Sequence, residues 1–202
     1  MISCQFEHPE RCDLRQSLAD KVRAFAALKD GSLPPDQLRL LLESIAQNDH
    51  LHLDLESHLA PPESPSERFT EVLCEDVIAS VYLLCWDEDL PGTLIHDHGG
   101  SSVGIYVLAG GVEELVYRDG HYPEWNHLQA GDLFCSQGDY IHRVYDRPGT
   151  GRSVSIHVYS PPLTSMKFYT FNAAEQRLRP TGQEWSKQSP HESMIASASS
   201  GA

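Results

Sequence analysis

Apolar positions recur first at helical and then at strand spacing. Leu14, Leu18, Val22, Phe25 and Leu28 fall on one face of a helix over residues 13–30, and Asp30-Gly31 supplies an end. Ser32-Leu33-Pro34-Pro35-Asp36 reads as a second helix start, followed by Leu38, Leu41, Leu42 and Ile45. A third mixed segment, 51–59, stops at Pro61-Pro62, so residues 13–60 are predicted to be mainly helical. Amphipathic helices of this length need a surface to pack on. The pattern then changes to a β-branched and apolar run over 77–86, with short strand-like segments at 94–98, 103–108, 112–118, 125–129, 133–136, 141–145, 153–159 and 168–171. Gly99-Gly100, Gly110-Gly111, Asp119-Gly120, Gly131-Asp132, Gly138-Asp139 and Pro148-Gly149 punctuate them. Short strands at regular spacing, uninterrupted by helical periods, predict an antiparallel barrel or sandwich and disfavour a parallel βαβ sheet. The expected organisation is one domain over 1–175, with a polar, small-residue tail over 176–202 that looks loose.

Composition narrows the partners. The chain has 202 residues and a formal net charge of -14, from 29 acids against 15 Lys and Arg. Nucleic acid and anionic membrane surfaces both call for basic patches, so neither is an expected partner. No apolar run is long enough to span a bilayer, and Met1 to Glu7 lacks the pattern of a secretory signal. The five cysteines, Cys4, Cys12, Cys74, Cys85 and Cys135, have no paired spacing. They read as reduced thiols in a cytosolic protein, with no structural zinc site. Cys85 and Cys135 are expected on neighbouring strands as small core fillers.

The candidate chemistry lies in the histidines. His96 and His98 are two apart, which on a strand points both rings the same way. Ser155, His157 and Tyr159 also share one strand face, with Val154, Ile156 and Val158 on the other. With His142, three imidazoles could hold a divalent transition metal and leave positions open. His-x-His alone is weak evidence, since a strand histidine is as often only hydrogen-bonded. The surroundings add to it. Gly92, His96-Asp97-His98, Gly110-Gly111 and the run from Gly131 to His142 resemble the two sequence motifs of the cupin superfamily, over about 80–165. Many cupins carry a Glu shortly after His-x-His. Here Gly99 to Val103 has no carboxylate, so the implied ligand set is three neutral histidines. Asp97 should face away from the metal.

Leu84-Cys85-Trp86, His96-Asp97-His98, His142-Arg143-Val144, Ser155-x-His157-x-Tyr159 and Tyr159-Ser160-Pro161-Pro162 occur in the order of the cysteine dioxygenase family. The chain resembles that family over most of 13–172. The resemblance implies a cupin-type antiparallel β-barrel (jelly roll) with an N-terminal helical region. It implies Fe(II) held by His96, His98 and His142, and a hydrogen-bonded chain Ser155, His157, Tyr159 with the Tyr159 hydroxyl at the iron. A small-molecule thiol and dioxygen would be the substrates. Taken by themselves, the same three residues also read as a buried structural histidine between ordinary strand residues.

Two departures from the mammalian pattern matter. The cysteine that crosslinks to the tyrosine is replaced by Val103, so no thioether is expected at Tyr159. The arginine that clamps the substrate carboxylate aligns with Glu71, in Arg68-Phe69-Thr70-Glu71. Both fit the bacterial branch that includes enzymes for 3-mercaptopropionate. Arg68 or Arg143 could then bind a thiol carboxylate, Glu71 could meet a substrate amine, or Glu71 could lie outside the pocket. Each arginine is equally readable as a surface residue. The expected activity is oxidation of 3-mercaptopropionate or cysteine to the sulfinate. The alternatives are another metal-dependent cupin, an isomerase or a carbon-oxidising dioxygenase, and a non-enzymatic cupin that binds a small ligand.

Overall fold

A computed structural model describes residues 9–26, 31–48, 51, 70–87, 89 and 92–187. Two helices come first, α1 (Pro9–Ala26) and α2 (Pro35–Ala46). Pro35 begins α2, where its missing N–H costs nothing, and Asp36 lies in the first turn. The segment 52–59, read as a possible continuation of the helices, lies outside the described residues, as does Arg68.

Eleven strands follow among the described residues: β1 (Thr70–Glu75), β2 (Ser80–Trp86), β3 (Ile95–His96), β4 (Ser102–Ala109), β5 (Gly111–Tyr117), β6 (Glu124–Gln129), β7 (Leu133–Ser136), β8 (Ile141–Asp146), β9 (Ser153–Ser160), β10 (Ser165–Asn172) and β11 (Arg177–Ser186). They form two antiparallel sheets, ordered β1-β2-β9-β4-β7 and β11-β10-β3-β8-β5-β6. The two sheets face one another as a cupin-type jelly roll.

The first sheet is covered on both faces, so every residue of β2 and β9 is buried. Val81, Leu83, Cys85, Val154, Ile156 and Val158 face outward, into a core shared with Leu18, Leu38, Leu41, Leu42 and Ile45 of the helices. Tyr82, Leu84, Trp86, Val103, Ile105 and Tyr159 face the barrel interior, with Val112, Val144, Met166 and Phe168 from the opposite sheet. Helix α2 sits directly on β4 at Gly104, where a Cβ would lie 2.4 Å from Leu42 Cδ1.

Three expectations need correction. Residues 177–186 are β11, paired along β10, rather than the start of a loose tail. Their side chains are mostly exposed, so no apolar alternation marks the strand; backbone pairing holds it. Cys85 and Cys135 are not on neighbouring strands, because β9 and β4 lie between β2 and β7. His98 lies beyond β3 rather than on it, at the start of a turn.

Candidate metal centre

His96 on β3 and His142 on β8 are direct cross-strand partners, which places their side chains on one face at close range. His98 reaches the same point from the turn after β3. Gly99 makes that turn possible. Its φ is +58°, and a Cβ there would lie 2.5 Å from the Ser165 carbonyl oxygen. Asp97 faces away from the site, as its place between two inward residues requires. Its carboxylate accepts from the Gly99 and Lys167 N–H groups at 3.1 and 2.9 Å and from the Tyr169 hydroxyl at 2.7 Å. These bonds tie the histidine-bearing segment to β10.

One ring nitrogen from each of His96, His98 and His142 lies within 4.8 Å of the others. All three residues are buried. The His98 and His142 Nε2 atoms are 3.2 Å apart. His96 Nδ1 donates to the Leu94 carbonyl at 2.8 Å, and His142 Nδ1 donates to Glu114 Oε1 at 2.6 Å. Each of these bonds leaves Nε2 facing the centre. Burial, followed by the neighbouring imidazoles, pulls His98 and His142 well below the ordinary histidine range. Neutral nitrogens whose lone pairs converge are the donor set a divalent transition metal needs, so the residues fit such an ion.

Glu114, on β5, is a residue the sequence reading missed. It is fully buried, and burial pushes its carboxyl up to about 7. Its neighbour Glu113 turns outward to His127. The available signal was phase: residue 114 lies between Val112 and Val116, both in the barrel core. The carboxylate many cupins supply just after His-x-His is thus absent from that stretch, while another stands behind His142 rather than at the centre.

The second cluster is connected. Trp86 Nε1 donates to Ser155 Oγ at 2.7 Å, Ser155 Oγ and His157 Nε2 are 3.0 Å apart, and His157 Nδ1 and the Tyr159 hydroxyl are 3.4 Å apart. Tyr159 lies against His98, with ring centroids 5.4 Å apart. Val103 is its direct strand partner, so the side chain beside Tyr159 is a buried isopropyl group and not a thiol.

A cavity of about 40 Å³ opens onto these groups, lined among others by Thr70, Trp86, Thr93, His96, His142 and Tyr159. Glu71 is not among its lining. It faces the helices and forms an ion pair of 2.7 Å with Arg15. Thr70, one residue earlier, takes the cavity face. Arg143 alternates with His142 and so lies on the outer face of its sheet, stacked 4.7 Å over Tyr145. Neither Glu71 nor Arg143 is brought to the site.

The architecture and the three-histidine centre define a metal-binding cupin-type protein. The cysteine dioxygenase type I family model matches residues 68–172, and the chain belongs to that family. Cysteine dioxygenase type 1 of Homo sapiens is 33% identical over 106 residues, covering 48% of this chain and 50% of the relative. That of Rattus norvegicus is 27% identical over 112 residues, with the same coverage. That of Danio rerio is 25% identical over 151 residues, covering 63% of this chain and 75% of the relative. The chain thus spans about half the length of the mammalian relatives it matches. Among solved structures, an RmlC-like cupin protein from Desulfovibrio desulfuricans is 16% identical, covers 51% of this chain and 91% of that one, and has a TM-score of 0.42.

Proposed function

We propose that this chain is an iron(II)-dependent thiol dioxygenase. It would convert a small thiol acid of the 3-mercaptopropionate or cysteine class, with O2, to the sulfinate (RSH + O2 → RSO2H). The observation that carries this reading is the closeness of two clusters: His96, His98 and His142, of which His96 and His142 line the cavity, and the Ser155-His157-Tyr159 chain, whose Tyr159 ring lies against His98. When bound, ferrous iron supplies positions for a thiolate and dioxygen and the redox chemistry that moves both oxygen atoms to sulfur.

His96, His98 and His142 would hold the ion and bring no negative charge of their own, so it would keep an attraction for a thiolate. Burial raises the Tyr159 hydroxyl above its ordinary range, so it stays a phenol and a donor at neutral pH. Trp86 N–H can only donate to Ser155, which leaves the serine proton for His157 Nε2. Run in that direction, the chain ends with His157 Nδ1–H on the Tyr159 oxygen and the phenolic proton toward the substrate. Leu84, Leu94, Val144, Leu163, Met166 and Phe168 line the rest of the cavity and keep water from the reacting sulfur.

Among the described residues that line the cavity there is no Lys or Arg. Arg68 is the proposed partner of the substrate carboxylate, two positions before cavity-lining Thr70 in sequence. Val103 in place of the crosslinking cysteine supports the 3-mercaptopropionate branch. The test is oxygen uptake by iron-loaded protein with 3-mercaptopropionate, cysteine and cysteamine, with products identified by mass. Stoichiometric sulfinate from one of the acids is expected, and Arg68→Ala should raise KM for the acids while sparing cysteamine. No sulfinate from any thiol would remove the reading.

A further inference from the structure

The reaction proposed above gives no task to the group of buried polar side chains behind His142. Strand alternation sends Glu114 into the barrel, at a position flanked by Val112 and Val116 where an apolar residue would pack without desolvating a charge. Each of its oxygens meets a separate donor. His142 Nδ1 donates to Oε1 at 2.6 Å, and the Tyr140 hydroxyl donates to Oε2 at 3.3 Å. Asn126, the strand partner of Glu114, donates in turn to the Tyr140 oxygen at 3.3 Å. The carboxylate plane is therefore fixed at both ends, and the short contact is the one to the histidine.

We propose that Glu114 is a positioning residue for the metal centre: it holds His142 as the Nδ1–H tautomer, aims Nε2 inward and places negative charge behind that ligand. This rests on reading the three histidines as metal ligands and not on the thiol chemistry. The physical basis is general. An imidazole whose N–H is held by a carboxylate is a better donor, and its ring cannot rotate away from the ion. The contrast with His96 is internal to the molecule, since that ring is held by a neutral carbonyl, Leu94 O. The two ligands therefore differ in basicity although they are direct strand partners.

Glu114→Gln keeps the size and one acceptor but removes the charge. It is to be compared with the unaltered protein by titration with Fe(II) and with Co(II), and by the visible ligand-field bands of the Co(II) form. Affinity for both ions should fall roughly 10- to 100-fold, and the Co(II) bands should shift. A variant with a lower Tm but unchanged affinity and bands would overturn the proposal, because that is the signature of a merely structural carboxylate. Should the variant fail to fold, the unaltered Co(II) protein decides by NMR with histidine labelled in its ring nitrogens. A slowly exchanging Nδ1–H on His142 supports the proposal, and coordination through Nδ1 overturns it. Unaltered protein that binds neither ion would overturn this proposal and the three-histidine reading together. Tight binding without oxidation of any thiol would remove the dioxygenase reading alone.

Discussion

An imidazole has two nitrogens, and what the protein does with one determines what the other can do. Leu94 O takes the Nδ1 proton of His96, and Glu114 takes that of His142. The spacing of His96, His98 and His142 was visible in the chain; the partners of their far nitrogens were not. Glu114 stands next to Glu113, and an acidic pair in a strand reads as surface until phase is followed closely. Glu71 shows the opposite case. Alignment puts it at a substrate-binding place, yet Arg15, 56 positions earlier, draws it to the helix side. At Tyr159 the prediction concerns a single hydroxyl. Tyr159→Phe keeps the ring against His98, so metal affinity should be unchanged while turnover falls on the order of 100-fold. Equal turnover, measured by oxygen uptake, would leave the Ser155-His157-Tyr159 chain with a structural role only.

Strands carry the site because they convert a spacing of two into a shared face. β9 does so twice, turning Ser155, His157 and Tyr159 to the barrel interior and Val154, Ile156 and Val158 to the helices. β3 is only two residues long, and His98 depends on the turn that Gly99 and Asp97 build. The periodicity of α2 was legible because its apolar face is regular: Leu38, Leu41, Leu42 and Ile45 are all fully buried. β11 was not legible, since a mostly exposed strand has no apolar pattern to betray it. The docking of α2 gives a test at this scale. Gly104→Ala would set a methyl 2.4 Å from Leu42 Cδ1 and 3.1 Å from Leu38 Cγ. Leu42 and Leu38, or the helix that carries them, must shift, at roughly 1–3 kcal/mol, read as a lower Tm in thermal melts. The metal centre lies on the other face of the sheet, so metal affinity should be retained.

The described residues bury one core between the sheets and another between the first sheet and the helices, so the metal-free chain should stay folded. A metal ion present at 100 times its Kd should add about 2.7 kcal/mol to the stability, seen as a rise in Tm that a chelator reverses without unfolding the chain. The second core also sets the behaviour of the thiols. Burial is the leading cause in each: Cys85 is pushed up to about 12, and Cys74 and Cys135 to about 11, from 9.0. At pH 8 they should resist alkylation in the native state and react on unfolding, as mass spectrometry of iodoacetamide-treated protein would show. Between pH 9 and 12 the folded state holds protons that the unfolded state has released. This contribution to stability is whole below pH 9 and is lost as the pH rises through that window.

Sequence alone determined the period of the amphipathic elements and the identity of the metal-capable histidines with the order of their motifs, because these are read from the chain without knowing which segments meet. The tertiary structure decided which polar groups from distant segments meet. Pairing across sheets and packing of helices bring together residues separated by dozens of positions, and that selection put Glu114 behind His142, Arg15 on Glu71 and Trp86 on Ser155.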